Sequence, residues 1–183
     1  HYLKELRATT IHDINAMVAL YRPGPMQFIP LYIERKHNEK LVKYMDPALE
    51  PILKQTYGVL VYQDDLLLIA INIAGYSWGE ADKFRKAVGK KIPKEMAEQK
   101  NHFIEGCVEH SKWPLKKAQE LWNQIEPFAA YGFNKAHSAS YGRVAYQTAY
   151  MKANFPVEYM SAIMTAEAGD VEKIAEIVPE CEN

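Results

Sequence analysis

Apolar positions recur at helical spacing along nearly the whole of this 183-residue chain. The first stripe is Ile11, Ile14, Val18 and Tyr21. Thr10 opens it, with Asp13 in the reciprocal capping-box position, and Arg22-Pro23-Gly24-Pro25 stops it. A second helix is predicted over residues 28–37, with Pro30 near its first turn. Asp46-Pro47 caps and starts another, and Gly58 marks its end. Residues 59–62 form a short β-branched run, read as a lone extended segment. Gln63–Ala74 is a strongly apolar helix closed by Gly75, with Asp64 and Asp65 in its first turn, where carboxylates suit the positive helix end. Ser77 and Glu80 make a second capping box. Trp78, Ala81, Phe84 and Val88 give that helix its buried face, and Gly89 ends it. Pro93 opens a helix with Met96, Phe103 and Cys107 in its stripe. Pro114 opens one carrying Leu115, Ala118, Leu121, Trp122 and Ile125, which Pro127 ends or kinks. Short amphipathic helices over 156–168 and 171–178, the second capped by Asp170, complete the chain. The expected fold class is mainly α, a compact multi-helix assembly with at most one short extended segment. Residues 1–168 are expected as one domain and 169–183 as the start of a further helical segment.

The stretch 131–153, YGFNKAHSASYGRVAYQTAYMKA, has a different pattern. It opens on a Gly turn and a cap-like Asn134 and meets no proline until Pro156, enough for about five helical turns. Between Ala136 and Met151 its one formal charge is Arg143. At 100° per residue, His137, Tyr141, Val144 and Thr148 share one face, while Tyr146 and Tyr150 lie on another. Such a helix, mildly apolar all round, is either a core helix or one whose polar face (Lys135, His137, Ser138, Tyr141) looks into a site.

Composition narrows the class. With 48% hydrophobic and 25% charged residues and a net charge of −1, the chain is neither disordered nor globally basic. Charge is uneven, however: residues 83–94 hold six basic side chains and no acidic one, whereas residues 158–182 hold seven acidic ones against Lys173 alone. The first segment suits an anion and the second does not. Arg85 falls about 60° from the centre of its helix's apolar face, so it either snorkels or is aimed. Arg22, presented by a stiff turn, is either a solvated helix stop or a phosphate contact. Cys107 and Cys181 make no disulfide framework, and a reducing cytosol fits. The longest apolar run, 66–74, is too short to span a bilayer. The chain starts at His1 and reads as a piece of something longer.

No complete catalytic set is legible. The six aspartates are scattered with no D-x-D, the six histidines lack metal-ligand spacing, and there is no Gly-rich phosphate loop. His137 and Ser138 are adjacent on a helix and point about 100° apart, a poor nucleophile and base. No catalytic residue and no metal ligand is expected. What remains is basic and aromatic side chains without metal ligands.

Five segments in collinear order, ALYRPGPM, YGVLVYQDD, AGYSWGEADKFRKAVGKK, YGFNKAHSASY and AYQTAYMKANFPVEYMSAIMTAE, closely resemble the fingers of the alpha subunit of bacterial DNA polymerase III, the C family. That resemblance implies part of a cytoplasmic, nucleoid-associated replicative DNA-directed DNA polymerase, a nucleotidyltransferase. Its Mg2+-binding aspartates would lie on a palm domain outside this chain, so the chain alone is expected not to polymerise. The implied partners are primer–template DNA, the incoming dNTP, the palm and other domains, and, through parts outside this chain, the sliding clamp and other replisome subunits. The family's L-R-R-A-M-G-K-K stands here as Phe84 to Lys91, with Lys86 in place of the second Arg and so without its bidentate fork. The triphosphate is then expected at Arg85, Lys86, Lys90, Lys91 and Lys135, and the nascent base pair and DNA at Arg22, Asn134, His137, Ser138 and Tyr141. The family's Q-E-Q reads Gln63-Asp64-Asp65, and its Y-G-F-N-K-S-H-S-A-A-Y has Ala136 and Ser140 in place of a Ser and an Ala. The alternative is a stand-alone helical module that binds DNA or protein without chemistry. A hydrolase built on His137 is a third reading.

Overall fold

Eleven α-helices run through the described residues (1–90, 93–128 and 131–181) of the computed structural model. They are α1 (Tyr2–Leu6), α2 (Ile11–Leu20), α3 (Ile29–His37), α4 (Glu50–Leu53), α5 (Gln63–Ala74), α6 (Trp78–Lys90), α7 (Pro93–Glu109), α8 (Leu115–Phe128), α9 (Lys135–Asn154), α10 (Pro156–Ala166) and α11 (Val171–Cys181). The one β-type pairing among the described residues is an isolated parallel bridge between Tyr62 and Phe133. The mainly α reading therefore holds, and the extended run before α5 contributes to a single bridge.

The chain divides into two compact units, His1–Gly142 and Arg143–Asn183, with the division inside α9. In the first unit, α5 to α8 surround one apolar cluster. Phe84 and Phe103 stack at 5.4 Å between ring centres, and Trp122 tilts against both. Leu66, Ile69, Ala70 and Ile73 line the inner face of α5. At Gly106 a Cβ would come within 2.3 Å of the Ala74 carbonyl oxygen, so glycine lets α7 lie directly on the end of α5. Gly75 adopts φ 73°, the left-handed conformation that closes α5. A second cluster joins Leu6, Ala16, Met17, Leu20, Ile29 and Tyr32 with Val59 and Val61.

In the second unit, the Asp170 side chain accepts the Lys173 N–H at 3.1 Å, capping α11 as expected. Lys152 pairs with Glu180.

Several stripes sit differently from the sequence reading. On α2 the buried face is Asp13, Ala16, Met17 and Leu20, whereas Ile11 and Tyr21 are exposed. The reason is Asp13, which gathers so many donors that its face turns inward. The capping box of α6 forms, with Ser77 N–H donating to Glu80 at 2.8 Å, but it sets the helix end at the surface and leaves Trp78 69% exposed. Leu115, likewise at a helix start, is exposed. Gly89 does not end α6, which runs on to Lys90: an interior glycine costs a helix only about 1 kcal/mol, and Gly89 is not among the positive-φ glycines. The helix expected after Pro47 is broken into α4 flanked by two 3-10 turns. The largest difference is α9, where only Ser138 and Gly142 are buried.

Candidate functional site

The first turn of α5 is a junction. Residues Val61 and Tyr62 enter it extended, and Phe133 runs beside them. The Phe133 N–H donates to the Val61 carbonyl at 3.2 Å and the Gln63 N–H to the Phe133 carbonyl at 2.9 Å. Asp65 is buried, and its carboxylate accepts the Tyr62 and Val61 N–H groups at 2.9 and 3.3 Å. Burial pushes its carboxyl up to about 6, although these N–H groups pull the other way. Asp64 accepts the backbone N–H of Lys135, the first residue of α9, at 3.1 Å. Both acids thus satisfy helix-end donors, one on its own helix and one on another.

Three cations gather at this junction, Lys86 through the Asp82 that also holds Arg85. Arg85 of α6 donates through Nη1 to Gln63 Oε1 at 3.1 Å and through Nη2 to Asp82 Oδ1 at 2.8 Å. Lys86 reaches the other oxygen of Asp82 at 2.6 Å. Lys135 places its Nζ 5.5 Å from the centre of the Tyr62 ring, within cation–π range.

A row of stacked groups continues from here. Arg22 lies 4.6 Å over the Phe133 ring, Phe133 is 5.5 Å from His137, and His137 is 4.5 Å from Tyr141, centre to centre. Asn134 accepts the His137 N–H at 2.8 Å and so caps α9. Tyr141 is 58% exposed. The opposite face of α9 is held down: Ser138 donates to the Asn15 carbonyl, and a Cβ at Gly142 would lie 2.0 Å from Asn15 Oδ1.

The sequence-predicted residues therefore separate by job. Arg85, Lys86 and Lys135 gather around the α5 junction, and His137 and Tyr141 form an exposed aromatic pair. Ser138 faces inward, away from that pair. Arg22 is neither a solvated stop nor a reaching side chain. It donates to the Ala19 and Tyr131 carbonyls at 2.9 and 2.7 Å, and burial lowers its pKa. Lys90 is exposed at the end of α6, and Lys91 lies outside the described residues. Sequence reasoning gave no site role to Gln63, Asp64, Asp82 or Phe133, although it placed Asp64 in the first turn of α5. Asp82 had a readable signal, since it stands three and four residues before Arg85 and Lys86 on one helix face.

The bacterial DNA polymerase III alpha subunit finger domain matches residues 1–111, which include Gln63, Asp82, Arg85 and Lys86. The chain belongs to that finger-domain family. Curated relatives named DNA polymerase III subunit alpha extend the similarity over almost the whole chain. The Rickettsia prowazekii protein is 47% identical over 172 residues, 94% of this chain and 14% of that protein. The Chlamydia pneumoniae protein is 43% identical over 180 residues, 98% and 14%. The Thermus aquaticus protein is 45% identical over 181 residues, 96% and 15%. This finger-domain chain thus spans about one seventh of the length of the relatives it matches.

A metal centre does not fit the finger-domain residues described. No group of three His, Cys, Asp or Glu side chains among them could hold an ion, and Asp64, Asp65 and Asp82 are each committed to donors. No helix among the described residues is long and apolar enough to cross a membrane.

Proposed function

We propose that this chain is the part of a bacterial replicative DNA polymerase that receives the incoming dNTP. The full-length protein adds nucleotides to a primer on a DNA template, with Mg2+ held by carboxylates on a palm domain outside this chain. Family membership supports this reading, and one observation carries it: Arg85 and Lys135 are anchored on the same helix turn, beside an exposed aromatic pair. Phosphoryl transfer asks little covalent chemistry of a protein. It asks for positioning and for neutralised charge. Arg85, Lys86 and Lys135 supply cations for the triphosphate, and Lys90 and Lys91 prolong that cationic stretch. His137 and Tyr141 present ring faces to the nascent base pair, which any base can meet. Arg22, Asn134 and Ser138 support these groups: Arg22 stacks on Phe133, Asn134 caps α9, and Ser138 pins it to α2.

Tyr141 tests the base-pair half. In the full-length polymerase, Tyr141→Ala is expected to leave the melting temperature nearly unchanged, because the ring is mostly exposed. It is expected to weaken correct incorporation by the equivalent of ~1–3 kcal/mol of lost stacking and to raise misinsertion in single-nucleotide primer extension. Normal incorporation and fidelity would refute this placement.

A further inference from the structure

Asp82 has no role in the reading above, yet it makes the densest set of charged contacts at the junction. Its Oδ1 accepts from both Nε and Nη2 of Arg85, at 3.2 and 2.8 Å, and its Oδ2 lies 2.6 Å from Lys86 Nζ. These cations hold its carboxyl below the usual range, Lys86 foremost and then Arg85. The carboxylate therefore sits on the guanidinium edge and the ammonium where a phosphate would present its oxygens. The remaining arm of Arg85, Nη1, goes to the neutral Gln63, whose own backbone is tied to Phe133. Gln63 can keep the guanidinium in place when the carboxylate leaves.

We propose that Asp82 is a resident counter-anion: it occupies the seat of a phosphate oxygen on Arg85 and Lys86 and yields it only to a polyphosphate. The inference rests on the reading that these two cations bind the triphosphate. Its physics is a competition. The Asp82 side chain is 44% exposed, so its hold on the cations is weak and reversible. With Asp82 in place the pair offers one net positive charge, and only an anion rich in charge gains by displacing the carboxylate. Without Asp82 the pair offers two positive charges and binds more tightly both the triphosphate and the pyrophosphate that the proposed reaction releases. Asp82 would then hasten release of that product, at a matching cost in affinity for the triphosphate.

The test uses full-length polymerase on primer–template, with inorganic pyrophosphate and tripolyphosphate as inhibitors of nucleotide incorporation. Asp82→Asn keeps an acceptor for Arg85 and removes the charge. It is expected to tighten inhibition by pyrophosphate roughly two- to fivefold, the scale of an exposed ion pair. Tripolyphosphate inhibition should tighten by a similar factor, and both gains should shrink as salt is raised. Arg85→Ala is the control and is expected to weaken inhibition by both anions. If Arg85→Ala weakens inhibition while Asp82→Asn leaves it unchanged or weaker, Asp82 is an ordinary helix ion pair and the inference fails alone. If Arg85→Ala leaves inhibition untouched, the triphosphate reading itself fails.

Discussion

Asp13→Ala is expected to destabilise the chain by ~3–5 kcal/mol, because it removes one partner of a buried charged network. Asp13 is 1% exposed. Its carboxylate accepts from the Thr9 and Thr10 N–H groups at 2.9 and 3.2 Å and from the Tyr32 and Tyr57 hydroxyls at 3.2 Å each, and it lies 3.5 Å from Lys36 Nζ. The Lys36 side chain is only 6% exposed, so truncation of Asp13 removes its counter-charge, leaving it the Thr9 hydroxyl at 3.1 Å, and takes the acceptor from both tyrosine hydroxyls. Urea denaturation of the 183-residue chain, followed by tryptophan fluorescence, reads the loss. A change below about 1 kcal/mol, the scale of an exposed pair, would show that the network is dispensable.

The same group sets an acid limb. Burial raises the Asp13 carboxyl, but the Thr9 and Thr10 N–H groups and the Lys36 charge outweigh it and hold the pKa below its ordinary 3.8. A depressed carboxyl contributes stability that is complete above the unfolded value and is lost as pH falls below it. Asp65 has the opposite sign. With its carboxyl raised to about 6, it costs stability as pH climbs from 3.8 towards 6. The two effects therefore occupy different pH windows.

Arg85→Ala in the full-length polymerase is expected to raise the KM for nucleotide by roughly 10- to 150-fold, the equivalent of a lost charge-assisted contact of ~1.5–3 kcal/mol. DNA affinity should change little, because the guanidinium is directed at Gln63 and Asp82 on the junction rather than along the chain's outer surface. Arg85→Lys should fall between, keeping the charge and losing the planar fork. An unchanged KM for nucleotide, with folding intact, would make Arg85 a structural tie between α6 and α5.

How much of this was legible in the sequence depended on the physics each residue obeys. Capping boxes, proline starts and the Gly75 stop act locally, so Ser77 with Glu80, Asp46 and Asp170 behaved as read. The apolar core of α5 to α8 followed from periodicity, because the buried carboxylate of α5, Asp65, is satisfied locally by the Val61 and Tyr62 N–H groups. Periodicity failed on α2, where a count of apolar positions gives no weight to Asp13 and therefore placed the stripe on the wrong side. It gave two options on α9, and neither a core helix nor the full polar face describes it. One narrow strip, Ser138 and Gly142, packs down, Lys135 is half-buried, and the remainder stays exposed. Asp82 escaped because the basic segment was counted from Lys83 onward, one residue too late to include its counter-ion. Gln63 and Phe133 could not have been found from spacing at all, since their contacts join segments far apart in the chain.

Lysine footprinting bears most directly on the claim that this surface takes the triphosphate. Full-length polymerase on primer–template is treated with an amine-reactive reagent, with and without the correct dNTP, and each lysine is quantified by mass spectrometry. The expected result is nucleotide-dependent protection of Lys86 and Lys135, with Lys116, exposed on α8, unaffected. Labelling of Lys86 and Lys135 that is indifferent to the nucleotide, while the enzyme incorporates it normally, would contradict the claim.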